Sequence, residues 1–327
     1  MLNDKKMAHR INISIPEDLG RELQRWGGLL NISRICQDAI SQEIKNLKNE
    51  RLNRRRFVRK VKAEVLRRQA LLIRLANGDI PVDPAHVMDE TDRIHIQSYL
   101  EYGELPEKPE DMRQLMKVYA SSCLSQSMIR RQLTRLMGSI PMPETIPLCL
   151  EKAFDEPAFA DNRHWTPEAM FELTADLENR ERMEGADLRS VSMRARIIAI
   201  LMDGSRLLEK KLGHGLAPFY REISTAIERG SEETWKYAKQ FAGSIRHVGP
   251  ATVCDFLKNI GFSDFVRVEG HFKSEFPQLI NEGKLTMKQQ FIKSLTLCEE
   301  LEMKPFVFDH IMYQWGSYKS CFQDIGR

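Results

Sequence analysis

The sequence predicts a mostly α-helical protein that begins with one short β-strand. Residues 10–15 alternate polar and apolar side chains with the period of two that is typical of a half-buried strand. Helical periodicity dominates the later chain, as in residues 112–137 and 191–212, and strand-like alternation is scarce beyond residue 76. The 327 residues are enough for two or more domains, each with its own core.

The predicted strand has one polar and one apolar face. The polar face carries Arg10, Asn12 and Ser14, and the apolar face carries Ile11, Ile13 and Ile15. A lone strand leaves a row of backbone donors and acceptors unpaired, and no comparable run follows nearby. We therefore expect this strand to pair with the same strand of a second copy of the chain. The alternative is an ordinary edge strand of a mixed sheet.

Two helices are predicted directly after the strand. Residues 16–18, Pro-Glu-Asp, form a helix start, because proline fits the first turn and acidic groups favour the positive end of the helix dipole. The Gly27-Gly28 pair ends this helix, and Asn31 can cap a second one. The apolar face of the second helix comprises Ile32, Ile35, Cys36, Ala39, Ile40, Ile44 and Leu47.

This strand, helix, glycine turn and helix resemble the ribbon-helix-helix family of DNA-binding proteins over residues 8–48. In that family the strands of two chains form an antiparallel ribbon that enters the major groove, which is wide enough to admit it. The resemblance implies a DNA-binding and dimerisation domain over residues 1–48. It assigns base contacts to Arg10, Asn12 and Ser14, the dimer core to Ile11, Ile13 and Ile15, and phosphate contacts to Asn31, Ile32 and Ser33.

The positive charge of the chain is concentrated near its start. Residues 1–76 contain 18 Lys and Arg against 8 Asp and Glu, whereas the remaining residues contain 31 against 38. Within residues 45–68, KNLKNERLNRRRFVRKVKAEVLRR, eleven basic residues face only Glu50 and Glu64. Such a run repels itself unless an anionic partner or solvent screens it, which favours phosphate contacts by Arg54, Arg55 and Arg56. The alternative is a solvated helix face.

An apolar helix face accompanies this basic run. Val58, Val61, Val65, Leu72 and Leu75 recur at helical spacing, so residues 49–78 are interpreted as a basic helical linker. Prolines at positions 81, 84, 106 and 109 mark the junction that follows, and residues 79–327 are expected to form an all-α domain.

Composition and motifs exclude several classes of protein. The six cysteines form no CxxC pair, which argues against zinc and iron-sulfur sites, and we expect no metal and no cofactor. The chain contains no Walker loop, HExxH motif or triad-like spacing. Residues 1–9 lack the apolar core of a secretory signal and no apolar run is long enough to span a bilayer, so we expect a cytoplasmic protein with reduced thiols and no membrane contact.

Residues 245–272, IRHVGPATVCDFLKNIGFSDFVRVEGHF, resemble the helix-hairpin-helix core of the DNA glycosylase superfamily. The resemblance implies a second DNA contact through the hairpin amides at Val248 and Gly249. Glu269 stands where the catalytic aspartate is expected, Ala251 where lyase members carry lysine, and His247 where the first hairpin glycine is expected. A longer carboxylate would be misplaced for catalysis. We expect a scaffold without catalytic activity; the other alternative is a turn followed by an amphipathic helix.

The sequence thus favours a homodimeric, sequence-specific DNA-binding regulator of transcription that is not an enzyme. The whole resembles the ribbon-helix-helix activators of conjugative plasmid transfer, which implies double-stranded DNA as one partner and RNA polymerase or another transcription protein as a second. The alternatives are a glycosylase acting on damaged bases and a relaxosome or partition accessory protein. An antitoxin is disfavoured, because antitoxins usually carry short disordered tails rather than a folded extension of this size.

Overall fold

The computed structural model describes residues 32–80, 90–126, 142–188, 192–213 and 215–322, with single positions at 16, 17, 21, 22, 25, 88, 129 and 133. Within these residues every regular element is a helix, so the prediction of a mostly α-helical protein is confirmed for the described part of the chain. The predicted N-terminal strand lies outside the described residues.

Twelve α-helices occur in the described ranges. They are α1 (Ile32–Ala76), α2 (Glu90–His95), α3 (Met112–Leu124), α4 (Met142–Phe154), α5 (Pro167–Met183), α6 (Met193–Leu212), α7 (Leu216–Glu228), α8 (Ser231–Gly243), α9 (Pro250–Asn259), α10 (Gly270–Leu279), α11 (Met287–Leu301) and α12 (Pro305–Tyr318). A π-helix over Ile96–Glu101 continues α2, and 3-10 turns cover Pro157–Phe159, Asn162–His164 and Lys319–Phe322.

The chain divides into two compact units, residues 1–59 and 60–327. The boundary falls inside α1, a single helix of 45 residues. Its last turns belong to the second unit, where Val61, Val65, Leu72 and Leu75 are buried. This confirms, for these four residues, the apolar helix face that was predicted beside the basic run. Part of the segment interpreted as a linker is therefore integral to the core of the second unit.

The end of α1 follows from a glycine. Gly78 has a φ of +77°, the left-handed region that glycine enters without steric cost. The amide of Gly78 donates to the carbonyl of Leu75 at 3.1 Å, and the amide of Asp79 donates to the carbonyl of Arg74 at 2.9 Å. These bonds satisfy carbonyls that the last helical turn leaves without partners.

Side-chain caps define the beginnings of several other helices. Asp111 accepts from the amide of Gln114 at 2.7 Å at the start of α3, and Ser192 accepts from the amide of Ala195 at 3.1 Å at the start of α6. Thr286 and Gln289 form a reciprocal capping box at the start of α11. Each such cap stabilises its helix by about 1 kcal/mol.

The core of the second unit is rich in aromatic side chains. Helices α5 and α6 pack along each other, α10 packs against α12, and α9 contacts both α3 and α8. Fully buried aromatic residues include Tyr119, Trp165, Phe219, Phe256, Phe265, Phe272, Phe276, Phe291, Phe306 and Phe308. Burying each large apolar side chain stabilises the fold by about 1.5–3 kcal/mol before the entropy of ordering is subtracted.

Candidate nucleic-acid interface

Most of the predicted base-reading and dimerisation residues lie outside the described residues. This applies to Arg10, Asn12 and Ser14, to Ile11, Ile13 and Ile15, and to Asn31. Ile32 and Ser33 are helical and belong to α1. The base contacts, the ribbon core and the phosphate contacts at residues 31–33 therefore stay predictions.

The part of α1 that precedes the second unit is densely basic and exposed. Its Lys and Arg side chains between residues 45 and 59 are all exposed to solvent, and Glu50 is the only acidic residue among them. The Arg54 guanidinium lies 5.1 Å from the centre of the Phe57 ring, within the range of a cation–π contact. The basic residues are Lys45, Lys48, Arg51, Arg54, Arg55, Arg56 and Arg59.

An apolar stripe directly precedes these cations on α1. Ile40, Ile44 and Leu47, which we call the apolar stripe, have exposed fractions of 39%, 47% and 55%. Their spacing of four and three residues places them on one side of the helix. Contiguous apolar side chains on a surface indicate a contact site for another macromolecule.

The segment between α8 and α9 has the geometry of a tight helix-turn-helix. His247 has a φ of +64°, a left-handed conformation at the position where the resembled hairpin carries glycine. Val248 is buried beneath the turn, whereas Gly249 is exposed and caps α9. A Cβ added to Gly249 would meet no heavy atom within 4 Å, so the space beside this residue is open.

An ion pair anchors this turn to α6. The Arg246 guanidinium donates to Asp203 from Nε at 2.7 Å and from Nη2 at 2.9 Å, and the Arg246 amide donates to the same carboxylate at 3.0 Å. The bidentate pair raises the pKa of Arg246 above its ordinary value. Gln126 adds a hydrogen bond from Nε2 to the His247 carbonyl at 3.2 Å.

Two arginines and a carboxylate, Arg196, Arg246 and Asp203, act on the turn electrostatically. Loss of hydration, followed by the charges of Arg196 and Arg246, lowers the pKa of His247 below its ordinary value. In the part of the chain that the structure describes, Arg196 forms no salt bridge and its buried Nε has no hydrogen-bond partner. Sequence reasoning missed Arg196, because it lies on α6 and no local motif connects it with the hairpin. An arginine without a carboxylate partner at a helix start favours an anion.

Glu269, the residue that replaces the expected catalytic aspartate, occupies the N-cap position of α10 without a side-chain capping hydrogen bond. Its carboxylate is held by Arg267, whose Nε donates to Oε1 at 2.7 Å and whose Nη2 donates to the same oxygen. Arg267 also contacts Asp255 from Nη1 to Oδ2 at 3.2 Å. Ala251, at the position expected for the lyase lysine, is buried in α9. The carboxylate is therefore engaged in an ion pair.

A buried cluster of charges lies behind Glu269. The Lys258 Nζ contacts Asp309 Oδ2 at 2.6 Å and Asp255 Oδ1 at 3.2 Å, and all three residues are buried. The Arg267 amide donates to Asp309 Oδ1 at 2.9 Å. Although burial opposes the ammonium charge, Asp309 and Asp255 raise the pKa of Lys258 above its ordinary value. We call Asp255, Lys258, Arg267 and Asp309 the charge cluster; it ties α9, the segment before α10 and α12 together.

The described residues contain no group of three His, Cys, Asp or Glu side chains that could hold a metal ion. All six cysteines are unpaired in the described structure. Two surface cavities of about 300 and 520 Å³ lie beside α7 and α6, and their walls contain none of the predicted site residues. None of the described helices is long and apolar enough to cross a bilayer.

No protein-family model, no curated protein and no solved structure matches this chain.

Proposed function

We propose that this chain is a homodimeric, sequence-specific DNA-binding regulator of transcription. The observation that carries the proposal is the exposed first part of α1, where the apolar stripe is followed directly by six Lys and Arg residues between positions 48 and 59. The apolar side chains fit a protein partner, and the cations fit the phosphates of nucleic acid. The short strand pattern at residues 10–15 adds a means of reading sequence.

The apolar stripe supports dimerisation. Ile40, Ile44 and Leu47 are each at least 39% exposed in the single chain. Burying such side chains against a second copy of the chain contributes about 25 cal/mol to the free energy of dimerisation for each Å² of apolar surface removed from water. In the ribbon-helix-helix family, which residues 8–48 resemble, the partner is a second copy of the chain. We assign the remaining apolar contacts of the dimer to Ile11, Ile13 and Ile15.

Base reading is assigned to the polar face of the strand. Arg10 can donate two hydrogen bonds to guanine, and Asn12 can pair with adenine in the same bidentate manner. Ser14 suits either base. The α1 cations and the phosphate contacts at Asn31, Ile32 and Ser33 add affinity that is independent of sequence and falls with salt.

The second unit is assigned two roles. A second contact with DNA phosphates is assigned to the turn at Val248 and Gly249; the exposed Gly249 and the charge of Arg196 near His247 support it, although the Val248 amide already donates to the Ile245 carbonyl at 3.4 Å. A domain of this size is not needed for DNA binding alone. Recruitment of RNA polymerase or another transcription protein would make the chain an activator, in line with its resemblance to activators of conjugative plasmid transfer.

The glycosylase alternative rests on Glu269, which stands where the resemblance places the catalytic aspartate and occupies the N-cap position of α10. The ion pair with Arg267 weighs against it, because the carboxylate is already occupied. A base-release assay on damaged duplexes tests this alternative. Release by the wild type that Glu269→Ala abolishes would favour an enzyme.

Genome-wide mapping of binding sites tests the proposed function. We expect enrichment at promoters, with a shared sequence that the purified chain selects over random duplex in titrations at fixed salt. Enrichment at a transfer or partition origin would favour the relaxosome or partition alternative. Uniform occupancy without a shared sequence would contradict sequence-specific regulation.

A further inference from the structure

The cations of α1 are unevenly distributed around the helix. A helix turns by about 100° per residue, so residues three or four apart lie on one side. Lys48, Arg51, Arg55 and Arg59 follow each other at intervals of three, four and four residues. We call these four exposed residues the basic stripe. Their Cα positions extend over about 16 Å at a rise of 1.5 Å per residue.

The basic stripe has no neutralising neighbour on its own helix. No Asp or Glu occurs three or four residues before or after any of its members. Within the described residues none of the four forms a salt bridge. Glu50 lies on the opposite side of α1, about 145° away from the stripe. The stripe is therefore a row of like charges, which repel one another along a helix unless an anionic partner is present.

A second row of cations on α1 differs in its surroundings. Arg56 and Lys60, four residues apart, lie about 95–135° around the helix from the centre of the basic stripe. Arg56 and Lys60 are the two cations of this row, and Asn49 and Asn53 occupy its positions toward the N-terminus. This row therefore carries a lower charge density than the basic stripe, although Arg56 and Lys60 are equally exposed.

The basic stripe begins where the apolar stripe ends. Leu47 is the last apolar member and Lys48 the first basic one, and both stripes lie on roughly the same side of α1. A helix that lies on a membrane needs a continuous apolar side along its basic stretch. Here the cations occupy that side, which argues against a lipid surface. A regular array of phosphates, such as duplex DNA presents, matches a straight row of cations.

We infer that the basic stripe is the side of α1 that contacts the DNA backbone most closely, ahead of Arg56 and Lys60; this inference rests on the proposed function. Each contact with a phosphate releases condensed counterions and adds about one unit to the slope of log affinity against log salt. The contact is independent of base sequence, because phosphates carry no sequence information.

Two double variants with equal loss of charge test the inference. Arg51→Gln with Arg55→Gln removes half of the basic stripe, and Lys273→Gln with Lys284→Gln, two exposed lysines of the second unit, is the charge-matched control. Gln has a helix propensity close to that of Arg and Lys, and circular dichroism checks that α1 is retained. Binding of the full chain to a selected duplex and to a random duplex is titrated over a range of salt concentrations.

We expect the stripe variant to lose about tenfold or more in affinity on both duplexes and about two units of salt slope per chain, with the control near wild type. Equal losses of affinity in the two variants, or no loss of affinity in either, would overturn the inference that the basic stripe contacts DNA. Wild type that binds neither duplex would overturn the proposed function itself. Release of the stripe variant from vesicles of anionic lipid, with DNA binding unchanged, would assign the stripe to a membrane instead.

Discussion

At the scale of single residues, His310 has an unusual environment. Its ring packs against Tyr99 and Phe306 at centroid distances of 4.7 and 4.6 Å, with His95 at 6.3 Å. Its buried Nε2 has no hydrogen-bond partner among the described residues. Burial, followed by the charges of Lys258 and His95, holds the pKa of His310 well below its ordinary value of 6.5. The folded protein therefore keeps this ring neutral.

We expect His310 to make the protein sensitive to acid. Its folded-state pKa is depressed, so its contribution to stability is present above pH 6.5 and is lost as the pH falls below that value. One proton that binds only the unfolded state reduces the free energy of unfolding by about 1.4 kcal/mol per pH unit. Urea unfolding from pH 7 to pH 5 should therefore show a shallower acid slope for His310→Phe than for wild type.

The buried Leu297 provides the control for this measurement, since Leu297→Val lowers stability without removing a titratable group and should leave the wild-type slope unchanged. Equal acid slopes for wild type and His310→Phe would contradict the assignment, and the slope would then belong to the carboxylates of the molecule.

Residue-scale features were predicted from the sequence only where they are local. The burial of Val61, Val65, Leu72 and Leu75 was predicted from the helical spacing of apolar residues in the sequence. The environments of His310 and Arg196 could not be predicted, because they depend on helices distant in the sequence. The residues that flank a histidine in the sequence do not indicate whether a lysine from another helix will pack near it in the fold.

At the scale of elements, α1 differs from the sequence-based division of the chain. The sequence analysis separated a second helix near residue 48 from a basic linker, whereas Ile32–Ala76 is one helix. The signal was present, because no Gly or Pro occurs between Gly28 and Gly78. Charge composition changes along this stretch, but a change of charge does not interrupt a helix. The helix continues to Ala76 and ends where Gly78 permits the backbone to turn.

The charge cluster supplies a prediction for α9 and α12. Lys258→Met leaves Asp255 and Asp309 buried without their shared cation, and removing one partner of a buried ion pair costs about 3–5 kcal/mol. Adding Asp309→Asn removes one of the stranded charges while keeping an acceptor for the Arg267 amide. The double variant should therefore be more stable than the sum of the two single changes in the free energy of unfolding predicts.

Chemical denaturation of the wild type, the two single variants and the double variant gives the coupling free energy. We expect about 0.5–3 kcal/mol for residues in direct contact. Lys236→Met, which removes an exposed pair with Glu233, should cost less than about 1 kcal/mol. Strict additivity for Lys258 and Asp309 would show that their contact contributes nothing beyond the individual side chains.

At the scale of the whole molecule, the prediction concerns dimerisation and DNA reading together. Arg10→Ala should lower discrimination between selected and random duplex by about 1–3 kcal/mol per contact, with an unchanged melting temperature. Ile13→Ala should weaken dimerisation and DNA binding together, since truncating a buried isoleucine costs about 2–5 kcal/mol. Titrations on both duplexes, sedimentation and a thermal melt separate the two effects.

An Arg10→Ala variant that binds the selected duplex like wild type, or that melts as early as Ile13→Ala, would show that the faces of the strand are assigned wrongly. Both residues lie outside the described residues, so this prediction depends on the sequence pattern alone. The sequence was sufficient for the helical class and for the basic surface of α1. It was insufficient for the charge cluster, whose members are brought together only by the packing of α9 against α12.

The charge cluster also restricts how this protein can evolve. Asp255, Lys258, Arg267 and Asp309 share their ion pairs, and replacing Lys258 alone leaves two buried carboxylates without their shared cation, so such single substitutions should be purged by selection. The cluster can change mainly by paired substitutions that remove or exchange two opposite charges together. Among homologous sequences these four positions should therefore covary, and the cluster should be kept or lost as a unit while the exposed residues around it diverge freely.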